Sequence, residues 1–427
     1  MTNPTNSNEQ GNRRRVVVTG MGAVTPLGND LNTTWRGLME GVCAVEKITA
    51  FETNDLPTKI AAAVKGFDPS HYMSHKDARR LGPFIQYALA TAKQALDQSR
   101  LNLDQEDPTR IGLEVSSALG GLPTIEEQSL LLAQKGVKSL QPTLIPATLI
   151  NMAACFTGIK LNIQGPTNSA VSACATGLTA IGEAMRRIIW GEVDVMLAGA
   201  TESAITPLAL VGFSRLGALS QRNDTPHQAI TPFDANRDGT VIGEGAGMLI
   251  LEALDHALAR GANILAEVVG YALTGDAHHI AAPAPDGGGA GRAMANALKD
   301  ACVDRSQINY IAAHGTGTPL NDASETKAVK RVFGEAAYDI PISSIKSMTG
   351  HMLGAAGVVS AVTVIKAMVE KIIPPTIGLT DPDPECDLDY VPQHARKIDV
   401  TYALANAFGF GGQNACVVFK KWGEQES

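Results

Sequence analysis

Apolar residues along this chain fall into two recurring patterns. Short unbroken runs rich in Val, Ile, Leu and Ala predict buried strands over 16–19, 111–115, 193–198, 248–251, 264–269, 308–312, 340–344 and 415–419. Between them apolar positions return every three or four residues, the spacing of one helix face. They predict helices over 84–98, 178–189, 254–260, 291–301, 324–332 and 354–369. In the second of these the face is carried by Leu178, Ile181, Met185 and Ile188. Strands alternating with helices give an α/β architecture with parallel or mixed sheets.

Both halves place a loop of small residues before an apolar helix. Cys174 precedes the helix at 178. The stretch from Lys346 to Gly357 precedes a helix bearing Val358, Val362, Ile365 and Val369. This echo suggests duplication, with a break near 253–260 and halves spanning 13–255 and 256–427. Residues 1–12 are polar and rich in Asn. They lack the apolar core of a secretory signal and read as a disordered tail.

Composition narrows the possibilities. The chain has 427 residues, 44% hydrophobic and 18% charged, which is ordinary for a globular protein. A formal charge of −8 argues against nucleic-acid binding and disfavours a membrane-surface role. No run approaches the ~18 apolar residues of a membrane span. The six cysteines (Cys43, Cys155, Cys174, Cys302, Cys386, Cys416) show no paired spacing, so neither a disulfide framework nor a zinc site is expected, and a reducing cytoplasm is. Arg13, Arg14 and Arg15 read as a solvated flank of the first strand.

Four stretches carry candidate chemistry. Cys174, between Ala173 and Ala175, sits at a helix start, where unpaired N–H groups favour a thiolate and small neighbours leave room for an acyl group. A buried, inert cysteine is the plainer alternative. His314, Gly315, Thr316, Gly317 and Thr318 follow a strand. They form either a loop for close ligand approach or a turn whose threonines cap the helix near 322–324. Lys346 and His351 share a second small-residue loop, or are surface groups. Gly409, Phe410 and Gly411 lie in a glycine-rich stretch, 406–414, that reads as a hinge-like loop or a hairpin turn with core aromatics.

Two motifs fail on inspection. Gly20 and Gly22 open like a dinucleotide fingerprint, but the third glycine is missing and Pro26 stands where the helix should run. Asp234, Asn236 and Asp238 open like a calcium loop, but Gly245 occupies the position that needs a bidentate Glu. No metal site is expected.

Taken together, Ser172 to Gly177, His314 to Thr318, Lys346 to His351 and Phe408 to Gly412 resemble the β-ketoacyl-[acyl carrier protein] synthases of the KAS I/II type, over all but the N-terminal tail. The resemblance implies a thiolase fold, an αβαβα layered sandwich of two similar halves, and a homodimer. It implies decarboxylative condensation of malonyl-carrier protein with an acyl chain held on Cys174, in fatty acid biosynthesis. A polyketide or aryl-polyene ketosynthase of the same fold, as a heterodimer in the polyketide case, or a silent partner subunit, are the alternatives. By the same resemblance Cys174 and Phe410 N–H groups form an oxyanion hole. His314 and His351 stabilise the malonyl-derived enolate, and Lys346 tunes His351. Phe410 gates the site on Gly409 and Gly411. Thr316 and Thr318 hold phosphopantetheine, which arrives on the carrier protein, so no cofactor is needed. Lys76, Arg79 and Arg80 dock the acidic acyl carrier protein. The chain departs from relatives at Ala312, Ser360 and Ala405, positions that form a monovalent-cation site in some of them, and at Ala281, where a pantetheine-binding Thr is frequent. No cation is therefore expected, and contacts to the arm are thinner.

Overall fold

A computed structural model describes residues 13–423. The tail read at 1–12 lies outside them.

Ten strands form one continuous sheet. In chain order they are β1 (Val16–Val24), β2 (Ile111–Ser116), β3 (Thr167–Asn168), β4 (Val195–Glu202), β5 (Gly245–Ala253), β6 (Ala266–Gly275), β7 (Tyr310–Ala312), β8 (Ile342–Ser343), β9 (Tyr402–Gly409) and β10 (Gln413–Lys421). The order across the sheet is β8-β7-β9-β10-β6-β1-β5-β4-β2-β3. Reading outward from the β1–β6 contact, the two halves are the same. Each runs antiparallel, antiparallel, parallel, parallel. The halves join where Val16, Val17 and Val18 pair with Val268, Glu267 and Ala266.

Five helices complete the layers: α1 (Pro83–Ser99), α2 (Thr176–Ile189), α3 (Gly288–Ala301), α4 (Pro319–Phe333) and α5 (Ala356–Glu370). Helix α1 covers the outer face of the first half, and α3 with α4 the outer face of the second. Helices α2 and α5 lie between, packed on each other and on both halves, which gives the expected αβαβα sandwich. Their crossing depends on glycine. A Cβ on Gly177 would lie 2.5 Å from the Val358 nitrogen, and one on Gly357 would lie 2.9 Å from the Leu178 nitrogen. Both helices begin with a tight turn whose first residue is left-handed, Ala173 (φ +50) and Leu353 (φ +45). The sequence echo is therefore a structural one, and it places Cys174 opposite Gly354.

Several expectations need correction. The strand expected at 16–19 continues through Gly20 and Gly22 to Val24, because these glycines receive α1. A Cβ at either would come within 2.2 Å of a backbone oxygen of that helix. Of the two readings of 406–414, the structure has the hairpin turn and not the open loop. Asn406, Ala407 and Phe408 belong to β9, paired with β10 around a two-glycine turn at Gly411 (φ +81) and Gly412 (φ +72). Helix α4 starts at Pro319 rather than near 322, and the Thr318 side chain makes no capping bond. The three arginines are not simply solvated. Arg13 pairs with Asp300 (2.8 Å), Arg14 with Asp194 (2.8 Å) and Arg15 with Glu267 (2.7 Å). One stretch, Leu353–Glu370, is long and apolar enough to cross a membrane, contrary to expectation, but it forms the buried central helix α5 and the turn before it. The acidic loop rejected as a calcium site is filled by protein groups. The Asp234 carboxylate accepts from the N–H groups of Asn236, Thr380 and Asp381.

Candidate active site

The turn from β9 into β10 meets the turn before α2 at Cys174. Gly409 is needed for this approach, since a Cβ there would stand 2.6 Å from the Ser172 oxygen and 3.0 Å from the Cys174 nitrogen. Gly409 is a contact glycine; left-handed backbone in this turn falls on Gly411 and Gly412. The Cys174 side chain is buried. Burial pushes its thiol up to about 12. The Lys346 charge and the backbone N–H groups of Phe410 and Cys174 pull the other way, and Glu202 adds to the rise. This overturns the expectation of a resting thiolate. A helix N-terminus favours an anion by about 1 kcal/mol at most sites, and burial outweighs that here.

His314 follows β7. Its loop is held by two carboxylates of α4 spaced three residues apart on the buried face. Glu325 accepts from the N–H groups of His314 and Gly315, both at 2.8 Å. Asp322 accepts from those of Thr316 (3.0 Å) and Gly317 (3.3 Å). Burial raises the pKa of each acid. Asn406 donates to Glu325 (3.2 Å) from β9. The sequence reading missed Glu325. The available signal was a pair of acids at i, i+3 on the inward side of an amphipathic helix. Thr316 and Thr318 hydroxyls bond each other at 2.9 Å and face the same cavity.

His351 lies beyond the one-turn helix Lys346–Thr349. Its N–H donates to the Val241 carbonyl (2.7 Å), and it forms a β-bridge with Ile242. Neither His314 nor His351 has a partner at Nδ1, and both rings are buried. A bare lone pair is cheaper to bury than an orphaned N–H, so the proton belongs on Nε2 of each. Burial, followed by the Lys346 charge, lowers both imidazoles well below 6.5 and keeps them neutral. Lys346 itself is buried, and burial lowers its pKa. Its Nζ donates to the His314 carbonyl, not to the His351 ring. The expected tuning of His351 therefore acts through charge alone and falls on His314 as well.

Cys174, His314, His351, Thr316, Thr318, Gly409 and Phe410 line one cavity. Phe213, Leu219, Ile242 and Leu353 give it an apolar wall, and the Phe213 and Phe410 rings are 6.0 Å apart. Ala281 also lines it. Ala312 and Ala405 are register neighbours in β7 and β9 and lie in the apolar core. Lys76, Arg79 and Arg80 are exposed at a separate one-turn helix (His75–Ala78), with no ion-pair partner among the described residues. Cys43, Cys155, Cys174, Cys386 and Cys416 are free thiols. Among the described residues no group of three or more His, Cys, Asp or Glu is arranged to hold a metal.

Known proteins are similar to this chain over nearly its whole length. The chain is 48% identical to 3-oxoacyl-[acyl-carrier-protein] synthase 2 of Synechocystis sp., over 96% of this chain and 99% of that protein. It is 46% identical to the protein of the same name from Vibrio harveyi, over 96% and 100%. Among solved structures, a β-ketoacyl synthase of Burkholderia phymatum superposes with a TM-score of 0.89 at 36% identity, covering 96% of this chain and 100% of that one. A type II polyketide ketosynthase, in complex with its acyl-carrier protein and bound to a hexaketide, gives 0.89 at 35% identity over the same shares. The β-ketoacyl synthase N-terminal domain matches residues 13–257 and the C-terminal domain 265–380. With a matching fold, family models over both halves and near-complete coverage, the chain belongs to the β-ketoacyl synthase family.

Proposed function

We propose that this protein is an acyltransferase that condenses an acyl chain, held as a thioester on Cys174, with a malonyl unit carried by acyl carrier protein. The product is a 3-oxoacyl thioester two carbons longer, made in fatty acid biosynthesis. The observation that carries this reading is the convergence of one thiol and two neutral imidazoles on a single cavity.

The steps follow from the chemistry of those groups. The Cys174 sulfur attacks the acyl thioester carbonyl, and its proton leaves with the departing pantetheine sulfur. The oxyanion on the acyl carbon lies toward the N–H groups of Cys174 and Phe410. Malonyl thioester then binds. Its bond to the carboxyl carbon breaks, CO₂ leaves, and the electron pair remains as an enolate whose oxygen accepts from Nε2–H of His314 and His351. The enolate carbon attacks the acyl-cysteine carbonyl, the new C–C bond forms, and the Cys174 sulfur is expelled and reprotonated. Loss of CO₂ supplies the carbanion, so the reaction takes no cofactor. Thr316 and Thr318 hold the pantetheine arm, and Phe410 opens to admit the acyl chain beside Phe213.

The unpaired cations Lys76, Arg79 and Arg80 support docking of the acidic carrier protein. Exposed Leu130, Ile145, Leu149 and Ile159 sit on a group of adjoining helices beside the free edge of β3, which supports a homodimer through that edge. The pathway and the free thiols fit the cytoplasm. The similarity to a polyketide ketosynthase supports a second reading, polyketide extension. An elongation assay with purified carrier proteins and acyl chains of graded length decides. Two-carbon extension of saturated chains supports the first reading, and extension of poly-β-keto chains alone the second. No extension by wild type, with Cys174 unmodified, defeats both.

A further inference from the structure

Among the described residues, one buried side chain of the cavity wall has neither a role in the mechanism nor a hydrogen-bond partner. Thr240 lines the cavity and is 5% exposed, and its Oγ1 is buried with no hydrogen-bond partner among the described residues. Its backbone is fully engaged. The N–H donates to Ala218 (2.8 Å) and the carbonyl accepts from Ser220 (2.8 Å). The hydroxyl is therefore the only polar function of this residue free for a ligand.

The position of the residue says which ligand group. On one side Gly239 donates to the Gly317 carbonyl (3.2 Å), which ties the segment to the loop carrying Thr316 and Thr318. On the other, Val241 accepts from the His351 N–H (2.7 Å) and Ile242 bridges His351. Thr240 thus stands between the loop assigned to the pantetheine arm and the imidazole assigned to the thioester oxygen. The wall around it is apolar, with Phe213, Leu219 and Ile242. An acyl chain has nothing to offer a hydroxyl here. The malonyl unit has one polar group that the mechanism leaves unpaired, its carboxylate.

We propose that the Thr240 hydroxyl donates to the carboxylate of the bound malonyl unit and so positions and selects the extender. The inference rests on the condensation reading above. The bond exists only before CO₂ leaves. It stabilises the bound substrate more than the transition state, so it lowers KM without raising kcat.

The test compares Thr240→Val, which keeps shape and loses the hydroxyl, with Thr240→Ser, which keeps it. The expected result for Thr240→Val is a rise of about tenfold in KM for malonyl-carrier protein, the size of one lost hydrogen bond to a charged group. Its kcat for CO₂ release should not fall. Acyl-enzyme formation from acyl-carrier protein, read as a mass increase on Cys174, should match wild type, since no carboxylate takes part. Thr240→Ser should stay within about threefold of wild-type KM. A Thr240→Val KM within twofold of wild type overturns the assignment. So does equal impairment of both variants, which would mark a packing role. If wild type forms no acyl-enzyme and releases no CO₂, the condensation reading itself has failed. If wild type does both, an unchanged KM counts against Thr240 alone.

Discussion

The rings of His314 and His351 stand 5.4 Å apart, centre to centre, at 84° to each other. One comes from the loop after β7 and the other from the turn before α5, so only the folded second half brings them together. In the proposed mechanism these neutral, edge-to-face rings are the two donors for the enolate oxygen. His314→Ala should lower malonyl decarboxylation by about 10²–10³-fold, the usual cost of one oxyanion donor. Acyl transfer to Cys174 should survive. Radiolabelled CO₂ release measures the first and intact-protein mass the second. Wild-type CO₂ release in this variant would remove His314 from the mechanism.

A buried neutral thiol has a distinct pH signature. Because the Cys174 thiol is pushed up to about 12, its alkylation by iodoacetamide should keep accelerating through pH 9 with no plateau. Lys346→Met removes the largest influence lowering that value and should slow alkylation below about pH 8, where Lys346 still carries its charge. A plateau below pH 8 in wild type would show a stabilised thiolate and contradict the electrostatic account.

Glu325 holds the His314 loop through two backbone N–H groups and the Asn406 amide. Glu325→Ala leaves those donors buried without an acceptor, at a cost of about 3 kcal/mol in unfolding free energy. Condensation should fall with it as His314 loses its fixed position. Denaturant titration checks the first and the elongation assay the second. A variant as stable as wild type would show that the loop is held by something else.

The segment read as a break, near 253–260, is tied by an ion network. His256 bonds Glu252 (2.8 Å) and Glu106 (3.1 Å), and Arg260 pairs with Glu252 and donates to the Ser99 carbonyl. The bond to Glu252 leads in raising His256 to about 9, and Glu252 falls to about 2 through Arg260, His256 and Thr19, against the opposing effect of burial. A histidine raised on folding stabilises fully below its unfolded value of about 6.5, and loses that contribution as pH climbs through about 9. Wild type should therefore exceed His256→Ala by an amount on the order of 2 kcal/mol at pH 6, shrinking toward pH 10. The Glu252 contribution is present above about 4.5 and is lost only as pH falls through about 2, so it does not mask this trend. A stability gap that is flat from pH 6 to pH 10 would exclude the charge network as its source.

The α2–α5 crossing predicts its own sensitivity. Gly177→Ala places a methyl 2.5 Å from the backbone nitrogen of Val358. The helices must separate, costing about 1–3 kcal/mol, and the Cys174 turn at the start of α2 moves with them. Thermal unfolding and acyl-enzyme yield should fall together. An unchanged melting temperature would show that the crossing can relax freely.

The sequence by itself determined the elements and the reactive residues. Apolar runs and three-to-four spacing located most strands and long helices, because both signals are local. The loops bearing Cys174, His314, Lys346 and His351 stood out for the same reason: small residues beside a rare reactive side chain are visible without a fold. Tertiary structure decided the rest. Strand β9 was hidden because its Ala, Asn and Gly residues show no strand pattern, and its burial comes from β7 and β10 on either side. Glu325 looked like an ordinary helix acid until α4 was set against the His314 loop. Thr240 gave no signal at all, since its meaning lies in the absence of a neighbour. The charge state of Cys174 was read in the wrong direction, because a helix terminus is local, whereas desolvation sums over every segment that closes around the sulfur.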